Sequence, residues 1–137
     1  MSGLYQISGS ALLAQRQRLN LIASNLANAD STSSSTGQPY RARFDVFAAQ
    51  PLQTNGGTDP TGAEGVRVQG VVTSQAPFKK VYAPGNPNAN AQGYVIASNV
   101  SLVRQMSDLV SATQTYRANL AMLQQGQQID RALINSL

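Results

Sequence analysis

Asp59 and Glu64 are the one close acidic pair outside the stretches that read as helical. Two carboxylates held across a bond are what glycoside hydrolysis requires. This pair sits among glycines and prolines, in loop sequence that does not fix catalytic groups to a fraction of an ångström, so solvated turn charges are the plainer reading. Gly56, Gly57, Gly62 and Gly65 suggest a phosphate cradle, yet no Gly-Lys-Ser/Thr follows them. Arg41, Arg43, Lys79 and Lys80 stand beside Tyr40, Phe78 and Tyr82, the mixture of cations and aromatics that nucleic-acid binding uses. A solvated sheet face uses it equally, and the remaining arginines, at 16, 18, 67, 104, 117 and 131, are scattered. The chain has no histidine and no cysteine, which excludes disulfides, zinc fingers, Ser-His-Asp triads and Cys-His dyads. No catalytic residue, metal ligand or cofactor is assigned, and neither an enzyme nor a nucleic-acid partner is expected.

The 137 residues suffice for one small domain, and with 42% apolar but only 6% aromatic residues the core is modest. Ten Lys and Arg against six Asp and Glu leave +4, yet the charged fraction of 12% is about half of what globular proteins carry. Gln, Asn, Ser and Thr supply the polarity instead. Such a surface suits contact with other protein surfaces, so self-assembly is expected. The early apolar run Ala11-Leu12-Leu13-Ala14 is followed at once by Arg16 and Arg18, so no secretion signal of the usual kind is expected. No stretch is apolar enough for direct membrane insertion.

The breakers are concentrated in the middle. All six prolines lie between Pro39 and Pro87, and eight of the eleven glycines between Gly37 and Gly93. From Asn99 to Leu137 there is only Gly126, which permits a helix of roughly 55 to 60 Å. In it Leu102, Leu109, Tyr116, Leu123, Asp130 and Leu137 recur every seven residues, with Met106, Thr113, Leu120, Gln127 and Ile134 interleaved at alternating spacings of four and three. That is a heptad seam. Gln105, Gln114, Gln124, Gln125 and Gln128 are read as its amide-rich outward face.

Near residues 8 to 29 a second helix is predicted, capped by Ser8 or Ser10. Tyr5, Leu12, Leu19 and Leu26 form one row, with Ser8, Gln15, Ile22 and Ala29 between them. The seams predict that Leu102, Met106, Leu109, Tyr116, Leu120 and Leu123 pack on Leu12, Leu19, Ile22 and Leu26. The C-terminal helix would then overhang the first by more than ten residues.

Between the helices, Tyr40 to Val46 alternates apolar and charged residues as a half-buried strand does. Val66, Val68 and Val72 share a face around Gly70, and Phe78 to Tyr82 and Tyr94 to Ala97 are further strands. One small antiparallel sheet of four strands is expected, with Ser31 to Gly37 a mobile loop. The fold class is therefore α+β: long terminal helices paired as a coiled coil around an inserted small antiparallel β domain. Residues 1–30 and 98–137 form the helical core domain, and 31–97 a β-rich outer domain with mobile loops.

Ala23-Ser24-Asn25-Leu26-Ala27-Asn28-Ala29 resembles the N-terminal signature of the bacterial flagellar axial proteins, the family that builds rod and hook. Ile7 to Leu12, Ala14 to Asn20 and Gln38 to Arg43 are similar to its proximal rod members. So are Gly65 to Val72, Ala76 to Tyr82 and Gly93-Tyr94-Val95, and Tyr116-Arg117-Ala118-Asn119-Leu120 matches the C-terminal axial motif. Departures stand at Asn86, at Ser98 and at Arg104-Gln105, none of them expected to touch the seam.

The resemblance implies a structural subunit of the basal-body rod. Its helices would form the inner layer of a helical tube that transmits torque and lines the export channel. It further implies homo-oligomerisation, contacts with neighbouring rod proteins and ring components, and delivery without a cleaved signal by the flagellar type III export apparatus to a periplasmic rod. Asn25, Asn28 and Asn119, the polar residues of the matched motifs, would then satisfy polar groups at helix ends and between subunits.

Overall fold

The computed structural model describes residues 2–33, 37–54 and 56–137. In chain order the elements are α1 (Ser2–Ala27), β1 (Thr32–Ser33), β2 (Arg43–Pro51), β3 (Gln53–Thr54), β4 (Gly57–Thr58), β5 (Glu64–Thr73), β6 (Lys79–Tyr82), β7 (Tyr94–Ala97) and α2 (Leu102–Asn135). Two helices enclosing small antiparallel sheets make this an α+β chain.

Helix α1 begins at Ser2 rather than near residue 8, because nothing between Gly3 and Gly9 breaks it once that turn is packed against α2. Ser8 and Ser10 are consequently interior positions, not caps. Its C-terminus is closed by Asn28, whose backbone N–H and side-chain Nδ2 both donate to the Ser24 carbonyl, at 3.2 and 2.8 Å. Ser101 caps α2, its hydroxyl accepting from the Arg104 N–H at 3.4 Å. α2 exceeds α1 by eight residues, a smaller overhang than the sequence predicts, because α1 starts earlier.

The strands form three sheets instead of one, ordered β1-β7-β6, β2-β5 and β3-β4, all antiparallel. β7 keeps its predicted bounds, whereas the strand expected from Tyr40 starts at Arg43 because Tyr40 and Ala42 turn toward the helices. Part of the expected Ser-rich loop is a strand: Thr32 pairs with Ala97 and Ser33 with Ile96. The rest of that loop, residues 34–36, lies outside the described residues. In the β2-β5 hairpin the register shifts between Val46 and Phe47, which leaves Gln69 as an extra residue opposite them. The bulge takes Val72 off the face that Val66 and Val68 share, and Val72 is exposed where those two are half-buried.

The hairpin lies along α1. Ser10 Oγ donates to the Ile7 carbonyl at 2.8 Å and accepts from the Val66 N–H at 3.0 Å. A Cβ on Gly65 would stand 2.5 Å from that hydroxyl, so only glycine lets β5 cross α1 this closely. Half of the buried apolar residues are alanines, Ala14, Ala42, Ala97 and Ala112, beside Ile22, Leu52, Val95 and Val100. They are joined by buried Ser8, Gln15, Asn25, Ser98 and Gln105.

Candidate functional site

The two helices run antiparallel: Asn25 meets Gln105 at one end, and Leu4 and Tyr5 meet Gly126 at the other. On α1 the inward rows are those the heptad pattern predicts, with Ser8, Gln15 and Ile22 buried and Tyr5, Leu12, Leu19 and Leu26 half-buried. On α2 one row also matches, since Leu109, Tyr116, Leu123 and Asp130 are all half-buried. The second row is displaced by one residue. Gln105, Ala112 and Gly126 are buried and Asn119 half-buried, again at alternating spacings of four and three with the first row.

The packing predicted for Leu102, Met106 and Leu120 on α1 is therefore corrected: all three are exposed, Met106 by 51%. Gln105, expected on the outward face, is 1% exposed. The physical reason lies in size and hydrogen bonding. Ala112 and Gly126 let the helix axes approach, and a Cβ on Gly126 would stand 3.0 Å from Leu4 Cδ2 and 3.3 Å from the Tyr5 ring. Larger residues in this row would hold the helices apart.

Asn25 makes a complete set of bonds at the end where the β segments join the helices. Its Oδ1 accepts from Tyr40 Oη at 2.8 Å and from the Arg43 N–H at 2.9 Å, and its Nδ2 donates to the Arg43 carbonyl at 2.8 Å and to Gln105 Oε1 at 3.1 Å. All four bonding positions of one amide are used. Asn99 does the same for the return of the chain, accepting from the Ala42 N–H at 2.8 Å and donating to the Ser74 and Ala76 carbonyls at 3.3 and 2.9 Å. Asn28 and Asn119 bond within their own helices, Asn119 to the Thr115 carbonyl at 2.9 Å.

A cleft of about 290 Å³ opens beside the Asn25 node, lined by Arg18, Arg43, Asp45, Gln105 and Asp108 among others. Asp45 Oδ2 is buried there without a partner. Burial pushes the Asp45 carboxyl above the usual range, against the opposing pull of its own N–H and of Arg18. At the far end Tyr5 Oη donates to Asp130, and this bond first, then burial, holds the phenol above its usual value.

The exposed side of α2 mixes polar residues with large apolar ones. Leu102, Val103, Met106 and Val110 are exposed near its start, Ile129, Leu133 and Ile134 near its other end, and Leu137 just beyond it. Large exposed apolar clusters of this kind mark contact surfaces. Among the described residues no helix is long and apolar enough to cross a membrane.

The other chemistry weighed from the sequence is not assembled. Asp59 is tied into its own turn by the Thr61 hydroxyl at 2.6 Å and the Thr61 N–H at 2.8 Å, which hold it below the usual carboxylate range, the reverse of what a general acid needs. Of the four cations, Arg41 lies 4.1 Å over the Phe78 ring and donates to the Ser74 and Ala76 carbonyls, and Lys79 Nζ donates to the Val100 carbonyl at 2.8 Å. Arg43 stands over Tyr40. These are tethers of chain to chain.

Sequence reasoning missed Gln105, Ala112, Gly126, Asn99 and Tyr40 as seam and node residues. The signal for the first three was present as a heptad row of small or amide residues, one position from the apolar row.

Residues 6–33 match the family described as "Flagella basal body rod protein", and residues 91–137 the family "Flagellar basal body rod FlgEFG protein C-terminal". The chain is similar to the "Flagellar basal-body rod protein FlgC" of Salmonella typhimurium, 50% identical over 122 residues that cover 88% of this chain and 85% of that one. It has the same identity and coverage with the protein so named from Escherichia coli O157:H7. With that of Bacillus subtilis it is 37% identical over 128 residues, 85% of each chain.

Proposed function

Because the chain belongs to the FlgC family of flagellar basal-body rod proteins, we propose that it is a structural subunit of the rod, assembling helically through the outward face of α2. The observation that carries this reading is the distribution of side chains on that helix. One of its two inward rows is Gln105, Ala112, Asn119 and Gly126, beside Leu109, Tyr116, Leu123 and Asp130, while Leu102, Val103, Met106 and Val110 are left exposed. Burying one such side chain contributes about 1.5 to 3 kcal/mol, repeated at every subunit.

In this reading residues 1–30 and 98–137 form the core that stacks into the tube, and 31–97 the outer part. The rod transmits torque, lines the export channel and meets neighbouring rod proteins and ring components. The amide-rich positions Gln114, Gln124, Gln125 and Gln128, all exposed, supply polar contacts between subunits. No step of this role uses a catalytic group, and Asp59 and Glu64 have none to perform.

The test is the double variant Met106→Gln, Val110→Gln, introduced in place of the chromosomal gene, with the gene deletion and the intact gene as references. Cells carrying the variant should make the protein yet be non-motile, with basal bodies that stop short of a complete rod. Motile cells with complete rods would remove the α2 face from the assembly.

A further inference from the structure

A cleft lined by no residue of either helix lies at the β6-β7 hairpin, and the reading proposed above assigns it no part. It has a volume of about 600 Å³ and is lined by Lys80, Asn90, Gln92, Tyr94, Val95 and Ile96. The register places Lys80 opposite Ile96 and Tyr82 opposite Tyr94, so all four project from one face of the sheet.

The aromatic pair is held in place. The two rings meet edge to face with centroids 5.3 Å apart, and Tyr82 lies flat on Gly93, where a Cβ would stand 2.8 Å from the ring. Gly93 also has φ +85°, so the position is restricted to glycine twice over. Both rings remain exposed.

The amides beside them are oriented too. Asn90 Oδ1 accepts from the N–H groups of Gln92 and Tyr94 at 3.0 and 2.9 Å, which turns its Nδ2 outward as a free pair of donors. Among the described residues, the side chains of Gln92 and Lys80 have no partner. No carboxylate lines the cleft.

Fixed aromatic faces take the C–H faces of a sugar ring, free amides take its hydroxyl and N-acetyl groups, and one cation takes one acidic group. We propose that this hairpin face binds a chain of N-acetylated amino sugars carrying carboxylates. Single-stranded nucleic acid also stacks on aromatics, but it requires several phosphate contacts. Arg41 and Lys79 are bound to carbonyls, which leaves Lys80 as the cation in the cleft.

The chain contains no tryptophan and five tyrosines, of which Tyr82 and Tyr94 are at the site, so binding is followed by the change in tyrosine fluorescence and checked by calorimetry. The full-length protein is titrated with a tetrasaccharide of alternating N-acetylglucosamine and N-acetylmuramic acid, with neutral chitotetraose, and with a ten-nucleotide oligothymidylate. Saturable binding of the acidic tetrasaccharide is expected, weakened about tenfold by Tyr94→Ala through loss of the ring contact. Lys80→Gln should weaken it roughly threefold to fivefold, while leaving chitotetraose unchanged.

Gln92→Ala, at an exposed position whose side chain makes no internal bond, should weaken both sugars and keeps the test valid if Tyr94→Ala unfolds the hairpin. Absence of saturable sugar binding overturns the proposal. So does equal binding by Gln92→Ala and Lys80→Gln, or tighter, salt-sensitive binding of the oligonucleotide. None of these outcomes bears on rod assembly, which is scored in cells.

Discussion

The inward and outward faces of α2 differ less in polarity than the two faces of an isolated soluble helix do. Inward, toward α1, the small and amide residues Gln105, Ala112, Asn119 and Gly126 alternate with half-buried Leu109, Tyr116, Leu123 and Asp130; exposed among polar neighbours stand Leu102, Val103, Met106, Val110 and Leu120. In an isolated protein the large apolar residues would be placed inside, since each buried one contributes most of the favourable transfer energy. Here half of the α2 seam is small or amide-bearing, so that part of the inner contact rests on close approach at Ala112 and Gly126 and on the Asn25–Gln105 hydrogen bond, while several large apolar side chains of the helix stay exposed. In the reading proposed above, those exposed side chains are the ones that assembly would cover, which would add to the stability of each subunit.

The inner face depends most on one residue, so the largest effect is expected at Asn25. Asn25→Leu removes all four bonds, takes the Asn25 partner from the Arg43 N–H and carbonyl and from Gln105 Oε1, and leaves Tyr40 Oη with the Ser24 hydroxyl alone at 3.1 Å. The loss should be about 3 to 5 kcal/mol by urea unfolding, well above that of a single surface hydrogen bond. Asn25→Asp keeps the two accepted bonds and loses the two donated ones, and should fall between. A loss under about 1 kcal/mol for Asn25→Leu would mean that the inner face is held by its apolar residues after all.

Next comes Gly126, where the inner face is held by proximity. Gly126→Leu pushes against Leu4 and Tyr5 and should destabilise by about 1 to 3 kcal/mol. Gly126→Ala sets about 1 kcal/mol of gained helix preference against a contact at 3.0 Å with the movable end of Leu4, and should come out near zero. Crosslinking or distance measurements between residues 5 and 130 should show the helix ends separating in the leucine variant alone.

The same contrast explains what could be read in advance. The rows of α1 and the Leu109, Tyr116, Leu123 and Asp130 row of α2 were legible because apolar period reports burial when the buried residues are apolar. The other α2 row was misplaced by one residue for the complementary reason. Period weighs Met106 and Leu120 above Gln105 and Ala112, and it carries no information about the Asn25 amide that draws Gln105 inward. Asn25 itself stood out only through the motif around it. β7 was legible from Tyr94 to Ala97, but its partner β1 was not, since Thr32 and Ser33 lie in a serine run with no alternation. The division into three sheets depends on such pairings and on the bulge opposite Val46 and Phe47, neither of which leaves a pattern in the sequence.

A smaller effect, of opposite sign, is expected beside the node. Burial raises the folded-state pKa of Asp45 above its unfolded value, so the native chain holds that proton more tightly than the unfolded chain. Stability from this group is therefore full below the ordinary carboxylate range and declines as pH rises through the raised value. Asp45→Asn should be slightly more stable than the parent at pH 7, with the difference vanishing in acid. A parent that gains stability on going from acid to neutral pH relative to Asp45→Asn would mean that Arg18 outweighs burial.

The smallest effect on the isolated chain is expected where the effect on assembly is greatest. Met106 and Val110 are 51% and 57% exposed, and glutamine suits a helix as well as methionine does and better than β-branched valine. Met106→Gln with Val110→Gln should change the unfolding free energy of the isolated chain by less than about 0.5 kcal/mol, and its helical circular dichroism hardly at all. If that variant is instead destabilised by more than about 2 kcal/mol, its failure to build a rod would follow from misfolding, and the two faces of α2 would not be separable in role. If stability is unchanged and the rod is lost, the outward row contributes nothing to the fold of one chain and is retained for its contact with the next.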